Sequence, residues 1–250
     1  MESTQIVETV RQMVEDGAQI IDIGGQSTRP NAVEVSVHEE IDRVVPAITA
    51  IRQAGLKVPI SIDTYRVKVA EAAIHAGADI INDVSAGTLD DEMLPTAAKL
   101  NAAIILMHMR GTPQNMNSLT TYHGDLIETI GRELRERVEE AVKVGIRRWN
   151  IILDPGLGFA KTGVHNIEIM RRLEELRRQT GLNGMPWLLG PSRKRFIGPI
   201  TGEMTPCERQ WGTAGAVAAC VHGGADIIRI HDTREMSKLV KMSDAIWRNV

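Results

Sequence analysis

Three polar side chains, Asp63, Asn82 and Asp154, each close a short apolar segment of the chain. Carboxylate and amide oxygens accept hydrogen bonds, and one carboxylate can accept two parallel N–H bonds from an amino-heterocycle edge. The side chains at the C-terminal ends of parallel strands converge on one rim in α/β proteins. The three residues therefore predict an acceptor-rich corner for a planar heterocycle with several N–H donors.

A second group of polar side chains is rich in hydrogen-bond donors. Its members are Thr28, Arg29, Ser192, Arg229 and His231. Guanidinium, imidazole and hydroxyl groups together suit a phosphate or pyrophosphate. Lys194 can lie between the two corners and polarise a ring carbonyl or nitrogen. A donor-rich heterocycle that carries a pyrophosphate is thus the predicted ligand.

Several of these polar residues also have a structural interpretation. Asp83 can cap a turn, and His108 can be a core histidine whose hydrogen bonds are satisfied internally. Asp154 precedes a proline and can form an Asx-turn. One of Arg193 and Arg195 is expected to be a solvated surface charge.

A repeated phrase predicts how the chain positions these groups. The pattern Gly-Ala, a polar residue, two isoleucines and a polar tip begins at Gly17, Gly77 and Gly224. Each glycine follows a helical pattern and can end that helix with a positive φ. Three such helix–glycine–strand units indicate a repeated βα architecture.

Apolar periodicity predicts alternating helices and strands along the whole chain. The predicted strands are 20–23, 59–64, 80–83, 103–108, 150–153, 187–189 and 227–230. The predicted helices are 4–16, 36–54, 66–76, 91–100, 122–144, 165–179, 208–222 and 234–248. Such alternation implies parallel strands with right-handed crossovers. The length of 250 residues suits one eight-stranded βα barrel or a doubly wound sheet.

Charge patterning gives one helix a further prediction. In 122–144, Glu133 and Arg137, and likewise Arg135 and Glu139, are four residues apart. Opposite charges at this spacing are neighbours on a helix surface. The helix is therefore predicted to be amphipathic and to face solvent.

The composition excludes several classes of protein. A net charge of −3 argues against nucleic acid as the main partner. Two cysteines, Cys207 and Cys220, are too few for a disulfide framework or a metal cage. The chain has no apolar run of about 18 residues and begins with neither a signal nor a transit pattern. These features predict a cytoplasmic protein without a membrane partner, or a mitochondrial one if a targeting segment lies upstream.

The motifs, in this order, resemble dihydropteroate synthase, most closely the version at the C-terminal end of fungal multifunctional folate-synthesis proteins. The matching segments are 22–30, 61–64, 81–83, 153–156, 190–194 and 229–232. The resemblance covers about residues 5–249. The ordered set is specific, although Asn-Asp or Asp-Pro-Gly alone would be weak.

The resemblance implies a (β/α)₈ barrel of the TIM type and a single pterin-binding domain over 1–250. Enzymes of this family join 6-hydroxymethyl-7,8-dihydropterin pyrophosphate to p-aminobenzoate, release pyrophosphate, and are targets of sulfonamides. The residues implied to hold the pterin are Asp63, Asn82, Met107, Asp154 and Lys194, of which Asp63, Asp154 and Lys194 are the catalytic candidates. The residues implied to bind pyrophosphate are Thr28, Arg29, Arg229 and His231. Those bordering p-aminobenzoate are Thr28, Phe159, Ser192 and Lys194.

The sequence departs from the family pattern in three places. Gln26 stands where glutamate is usual, and Asn31 stands where glycine is usual. The family's first strand and its Asn-Val-Thr-Pro-Asp-Ser-Phe-Ser-like loop have no counterpart before Glu2. That loop supplies the asparagine that holds Mg²⁺ on the pyrophosphate, so no metal ligand is assigned within this chain.

The missing strand leads to the expectation that the chain is a fragment or a shortened product of a larger protein. A sheet without it would expose strands 20–23 and 227–230 as edges. The alternative function is a catalytically inactive pterin-binding module. A pterin-dependent methyltransferase is disfavoured, because a methyl donor carries no pyrophosphate for Arg229 and His231. The last helix is expected to offer a face for a homodimer, with Lys238, Val240, Lys241, Ile246 and Trp247.

Overall fold

The computed structural model describes residues 3–28 and 32–248. The chain divides into two compact units. The first contains Met1–Met107, Thr112–Gln114 and Arg137–Ile151, and the second contains His108–Gly111, Asn115–Glu136 and Ile152–Val250.

Helices and strands alternate along the described residues. The strands are β1 Ile21–Gly24, β2 Ile60–Asp63, β3 Ile80–Asp83, β4 Ala103–Met107, β5 Ile151–Asp154, β6 Leu188–Leu189 and β7 Ile227–Ile228. The helices are α1 Ser3–Glu15, α2 Val37–Gln53, α3 Val67–Ala76, α4 Met93–Leu100, α5 Leu126–Lys143, α6 Gly163–Arg171, α7 Leu173–Arg177, α8 Ile197–Thr201, α9 Gln210–His222 and α10 Thr233–Trp247. The seven predicted strands are all confirmed within this part of the chain.

The first unit contains a parallel sheet in the order β1, β2, β3, β4. Gly24 is the register partner of Asp63, and Asp63 is the partner of Asn82. Side chains alternate between the two faces of a strand, so Asp22, Asp63 and Asn82 share one face. Parallel pairing thus places three polar residues of three strands on the same side of the sheet.

The second unit contains the parallel pair of β6 and β7, and Leu153 of β5 bridges to Trp187 beside it. Ile228 and Ile230 both pack against an apolar cluster of α9 and α10 that includes Val217 and Val221. These two isoleucines were predicted to share one side of an extended segment, which is confirmed. The strand itself is shorter than predicted and only half-buried.

The predicted glycine turns end the helices in the same way in all three repeats. Gly77 has φ 115°, and its N–H donates to Ile74 O at 3.0 Å while the N–H of Ala78 donates to Ala73 O at 2.9 Å. Gly224 has φ 96° and makes the equivalent bonds with Ala225. These are Schellman motifs, which favour glycine because its backbone enters the left-handed region without steric cost.

The acidic residue after the glycine has a defined role in two repeats. Asp79 Oδ2 accepts the N–H of Ile60 at 2.8 Å and lies 2.7 Å from Arg52 Nη2. Asp226 Oδ2 likewise accepts the N–H of Trp187 at 2.8 Å and lies 3.3 Å from an arginine, Arg177. The carboxylate therefore joins the start of the neighbouring strand to the end of an earlier helix.

Two predicted helices differ from the observed ones. The helix predicted over 165–179 is interrupted at Arg172 (φ −112°, ψ 22°), whose guanidinium pairs with Asp125, Glu168 and Glu175. The helix predicted from 122 begins only at Leu126, because the Asp125 carboxylate accepts the N–H of Glu128 at 2.9 Å. The Asp125 side chain therefore caps the first turn of α5.

The predicted homodimer face on α10 combines charged and apolar side chains. Ile246 is 54% exposed and Trp247 is 43% exposed, and Trp247 also packs edge-on against His222. Over 3–28 and 32–248, we find no helix with the length and apolar character needed to cross a membrane.

Candidate active site

The first unit holds the predicted acceptor residues at the C-terminal ends of its strands. Asp63 ends β2, and Asn82, which is 5% exposed, lies beside it on β3. Asn82 Nδ2 donates to Asp22 Oδ1 at 3.3 Å, which fixes the orientation of the amide. Sequence reasoning did not assign Asp22 to the site, although it lies two residues before Gly24 and so shares that face of β1.

The backbone of β1 approaches Asp63 closely at Gly24. A Cβ added at Gly24 would lie 3.3 Å from Asp63 Cβ. Met107 is buried at the end of β4. Side chains alternate between the two faces of a strand, so Met107 lies on the same face as Ile105, and Ile105 is the register partner of Asn82. Asp63, Asn82 and Met107 are thus brought together on one face, as the pterin prediction requires.

The loop after β1 carries the predicted anion-binding groups. Thr28 is half-buried, whereas Arg29 lies outside the described residues. The Gln26 side chain donates to Ser27 O at 2.9 Å and accepts the N–H of Val35 at 2.7 Å. An amide can do both, so the residue that stands in place of the usual glutamate ties the two ends of this loop together.

A buried ion pair supports the same loop from α2. Glu40 is 1% exposed; it accepts from Thr64 Oγ1 at 2.8 Å and from Arg66 Nη1 at 2.8 Å. Arg66 also donates to Val35 O at 2.8 Å. Glu40 and Arg66 thus have all these partners inside the first unit. A buried ion pair needs such additional hydrogen bonds to offset the loss of solvation.

Asp83 has the structural role that the sequence left open. Its carboxylate is fully buried and accepts from the N–H and hydroxyl of Ser85 and from the N–H of Gly87. Burial raises the pKa of Asp83, and these three hydrogen bonds oppose the shift. The carboxylate fixes the turn after β3, in which Ala86 has φ 51°.

The second unit positions Asp154 at the end of β5. The side chain is 7% exposed, and Oδ1 accepts the N–H of Gly156 at 2.7 Å, so the Asx-turn interpretation is correct. Burial raises the pKa of Asp154 to about 6, against the N–H of Gly156 and the charges of Lys194, Lys161 and Arg229. The carboxylate is therefore a buried acceptor surrounded by cations.

Lys194 and Phe159 lie against each other in the same unit. Lys194 Nζ is 4.5 Å from the Phe159 ring centroid, within the range of a cation–π contact. A Cβ added at Gly158 would lie 3.2 Å from Lys194 Cδ, so glycine leaves room for the lysine stem. Two residues that were predicted to border p-aminobenzoate are thus in contact.

Ser192 and His231 connect the loops that follow β6 and β7. Ser192 Oγ accepts the N–H of His231 at 3.2 Å and lies 2.9 Å from its Nδ1. The Arg193 guanidinium makes two bonds to the Asp232 carboxylate one residue further on. Arg229 is exposed immediately before this segment. The structure therefore brings Ser192 and His231 into contact, and Arg229 lies two residues before His231 in the chain. Arg193 is paired with Asp232, and Arg195 is the exposed one of the two arginines, as expected.

A buried network in the second unit was not found from the sequence. His108 and Lys161 are 4% and 8% exposed, and Lys161 Nζ lies 2.9 Å from His108 Nδ1. His108 Nε2 lies 2.8 Å from Glu133 Oε2, so the part-buried Glu133 of α5 pairs with His108, and the predicted Glu133–Arg137 pair is wrong. The helix itself is amphipathic as predicted, with Ile130 and Leu134 buried and Glu136 exposed. Burial lowers the pKa of His108 to about 4 and that of Lys161 to about 7.

Among residues 3–28 and 32–248, no group of three or more His, Cys, Asp or Glu side chains could hold a metal ion. The carboxylates and imidazoles of these residues thus do not fit a metal site built by the protein alone.

Known proteins share both the sequence and the fold. The family model for pterin binding enzymes matches residues 1–231. The folic acid synthesis protein fol1 of Pneumocystis carinii is 54% identical over 241 residues, which are 96% of this chain and 33% of that protein. A dihydropteroate synthase of Synechocystis is 50% identical over 242 residues, covering 97% of this chain and 82% of the relative.

A solved structure shows the same architecture. The dihydropteroate synthase of Yersinia pestis, determined as a sulfonamide drug complex, has a TM-score of 0.93 and 36% identity, covering 100% of this chain and 87% of that one. This similarity confirms the predicted α/β fold class of the TIM-barrel type. The chain belongs to the pterin-binding enzyme family and, within it, to the dihydropteroate synthases.

Proposed function

We propose that this chain is a dihydropteroate synthase domain, extending over 1–250. It condenses 6-hydroxymethyl-7,8-dihydropterin pyrophosphate with p-aminobenzoate to give 7,8-dihydropteroate and pyrophosphate. The chain spans a third of the fol1 relative but most of the Synechocystis synthase, which supports assigning the synthase step to this part of the larger protein.

The observation that carries the proposal is the environment of Asp154. The carboxylate is only 7% exposed, and burial raises its pKa although the positive charges of Lys194, Lys161 and Arg229 favour its ionised form. Burying a carboxylate is costly, and proteins keep such perturbed groups mainly at functional sites. Such a group accepts N–H bonds from the amino edge of a pterin in bidentate fashion. Desolvated carboxylates that face cations in this way are typical of functional sites.

The remaining residues have the roles that their chemistry suggests. Asp63 and Asn82 accept from the pterin, and Met107 packs against its ring. Lys194 polarises the ring and, with Phe159, borders the p-aminobenzoate position. Thr28, Arg29, Ser192, Arg229 and His231 serve the anionic groups, with Thr28 and Ser192 also bordering p-aminobenzoate.

The reaction needs no protein nucleophile. The bond between the pterin methylene carbon and the pyrophosphate oxygen breaks, and pyrophosphate leaves with the electron pair, stabilised by Arg229 and His231. The methylene carbon becomes electron-poor, and the side-chain oxygens of Asp63 and Asp154 stabilise that positive charge. The amine nitrogen of p-aminobenzoate then forms the new C–N bond and releases one proton.

Finer expectations also belong to this proposal. Mg²⁺ is the expected counter-ion of the pyrophosphate. Sulfonamides are expected to compete with p-aminobenzoate near Phe159 and Ser192. A cytoplasmic location, a mitochondrial alternative and a homodimer remain predictions.

The experiment that tests the proposal supplies the purified chain with both substrates and MgCl₂ and follows 7,8-dihydropteroate by chromatography. We expect product and pyrophosphate in equal amounts, and we expect the Asp154→Asn variant to lose most of the activity. Calorimetry with 6-hydroxymethylpterin runs in parallel. Pterin binding without product would support the inactive binding module instead, and the absence of both would overturn the assignment.

A further inference from the structure

The loop that follows β5 has an uncommon backbone conformation. Three of its residues, Gly156, Gly158 and Ala160, have φ of 70°, 80° and 49°, which lie in the left-handed region. Glycine adopts this region without steric cost, whereas the fully buried Ala160 adopts it at a cost in free energy. Such a conformation persists only where surrounding groups enforce it, and these conformations cluster at functional sites.

Two side chains hold the carbonyl groups in the second half of this loop. The Lys161 ammonium donates to Phe159 O at 2.9 Å, and the Tyr122 hydroxyl donates to Ala160 O at 3.1 Å. Both donors belong to the second unit, as the loop does. The loop is therefore fixed beyond Phe159 by hydrogen bonds to its backbone.

Asn166 of α6 holds the middle of the loop. The residue is 2% exposed, and its Oδ1 accepts the N–H of Gly158 at 2.6 Å while its Nδ2 donates to Thr162 O at 2.7 Å. A flipped amide would place oxygen against oxygen and nitrogen against N–H, so the two bonds fix its orientation. Asn166 therefore joins Gly158 to Thr162, the residue that caps α6.

Gly158 lies against the candidate site residue Lys194. A Cβ added at Gly158 would be 3.2 Å from Lys194 Cδ, and Lys194 Nζ lies 4.5 Å from the ring centroid of the half-buried Phe159. A shift of Gly158 would therefore move Phe159, the next residue, and change the space that Lys194 occupies. The bond from Asn166 to the N–H of Gly158 thus controls the geometry of the Phe159–Lys194 pair.

We propose that Asn166 is a positioning residue for the arylamine substrate, because it fixes the backbone that places Phe159 against Lys194. The proposal rests on the proposed function, in which Phe159 and Lys194 border p-aminobenzoate. Asn166 acts through the N–H of Gly158, without contacting the substrate itself. It keeps the loop in its binding conformation before the substrate arrives, which removes the cost of ordering the loop on binding.

Removing the bond to Gly158 should weaken the binding of one substrate more than that of the other. The Asn166→Leu side chain is similar in size but leaves the N–H of Gly158 without its acceptor, so the loop loses its fixed position. The pterin keeps its proposed partners Asp63 and Asn82 in the first unit, far along the chain from this loop. A merely structural role for Asn166 would reduce the amount of folded enzyme, and thus kcat, without changing either KM.

Steady-state kinetics tests the proposal by measuring KM for each substrate at a saturating concentration of the other. In Asn166→Leu we expect KM for p-aminobenzoate to rise about tenfold and KM for the pterin pyrophosphate to change by less than about twofold. Asn166→Asp keeps the acceptor for Gly158 and loses the donor to Thr162 O, so its KM for p-aminobenzoate should stay within about threefold of the wild-type value. An unchanged KM for p-aminobenzoate in Asn166→Leu, or an equal rise in both KM values, would overturn the proposal.

Thr162→Ala is the matched control. It removes the hydroxyl that accepts the N–H of His165 at 3.3 Å, and so weakens the same end of α6 while the bond between Asn166 and Gly158 stays in place. Both KM values should equal those of the wild type. A rise in KM for p-aminobenzoate as large as that in Asn166→Leu would show that any loosening of α6 has this effect, which would refute the specific role of Asn166.

A measurement on the wild type avoids the risk that Asn166→Leu fails to fold. In the ligand-free protein, hydrogen exchange followed by NMR should show the N–H of Gly158 protected to the same degree as the amides of α6. Rapid exchange would mean that the loop moves independently of Asn166 and would refute the proposal. If the wild type neither bound nor used p-aminobenzoate, the proposed function would fail and this inference with it, whereas an active wild type and an unchanged KM in Asn166→Leu would refute the inference alone.

Discussion

Ser192 holds His231 by two contacts, with its hydroxyl 3.2 Å from the backbone nitrogen and 2.9 Å from Nδ1 of the ring. Ser192 is 4% exposed, whereas His231 is exposed, so the buried hydroxyl fixes the base of a side chain whose far edge faces solvent. The imidazole is therefore oriented before any ligand arrives. Preorganised donors of this kind stabilise an anion without a reorganisation cost.

The Ser192→Ala substitution should weaken the use of the pyrophosphate substrate. Losing one neutral hydrogen bond costs about 1 kcal/mol, which corresponds to a roughly fivefold rise in KM for the pterin pyrophosphate. Steady-state kinetics at saturating p-aminobenzoate provides the measurement. Ser237→Ala on α10, where the hydroxyl binds Arg234 O, is the control and should leave KM unchanged.

The Asp154→Asn substitution should stabilise the fold and weaken ligand binding. The raised pKa of about 6 means that the native state keeps a proton which the unfolded chain releases near its ordinary pKa of about 3.9. Wild-type stability therefore falls as pH rises between these values, and the loss persists above them. An asparagine has no charge to desolvate, so the variant keeps this part of the free energy of unfolding at higher pH. Its side-chain oxygen can still accept the N–H of Gly156.

Denaturation in urea at about pH 7 and about pH 4 measures that difference. We expect Asp154→Asn to be more stable than the wild type by about 2 kcal/mol at the higher pH and nearly equal at the lower one. Calorimetry should show pterin affinity reduced by about 1–3 kcal/mol, because a charged acceptor is lost. A variant with lower stability and unchanged affinity would show that Asp154 serves the fold and not the ligand.

The strand ends could be predicted because they depend on local patterns. Strand 80–83 was predicted with its observed bounds, and the repeat glycines end helices as expected. Asn82 and Asp154 follow directly from this pattern, since a polar residue after an apolar strand lies at the strand's C-terminal end. Asp22 follows the same alternation but was not assigned, because it lies inside strand β1, two residues before the strand's C-terminal end.

The buried network could not be predicted because its partners are distant in the sequence. Glu133 is four residues from Arg137, and that spacing favours a surface pair, yet Glu133 binds Arg110 and His108, which are 23 and 25 residues away. Lys161 lies 53 residues from His108. A local pattern contains no information on such contacts. Glu133 therefore forms its tertiary contacts with His108 and Arg110 instead of the pair with Arg137 that the helical spacing predicted.

Gly77 should tolerate alanine less well than Gly55, although both have a positive φ. A Cβ at Gly77 would lie 2.9 Å from Arg52 Cγ, whereas at Gly55 (φ 75°) nothing lies within 4 Å. Both substitutions incur the left-handed backbone cost of about 1–2 kcal/mol, and only Gly77→Ala adds the displacement of Arg52. Urea denaturation should show a free energy of unfolding about 1 kcal/mol lower for Gly77→Ala than for Gly55→Ala. Equal values would mean that the Arg52 side chain moves aside at no cost.

The repeated carboxylates Asp79 and Asp226 should each stabilise the fold through the backbone and only weakly through charge. Their arginine partners are 25–29% exposed and the carboxylates 42–52% exposed, so solvent screens both ion pairs. The N–H groups of Ile60 and Trp187, each 2.8 Å from a carboxylate oxygen, would lose their acceptor in the alanine variants. We therefore expect Asp79→Ala and Asp226→Ala to lower the free energy of unfolding by about 1–2 kcal/mol each.

Salt dependence separates the two contributions. Raising the NaCl concentration screens an ion pair but leaves a backbone hydrogen bond intact, so the loss should persist in about 1 M salt. Asp91→Ala, at an exposed position, is the control and should change stability by less than about 0.5 kcal/mol. A loss that disappears in high salt would assign the stabilisation to Arg52 and Arg177 instead of the strand N–H groups.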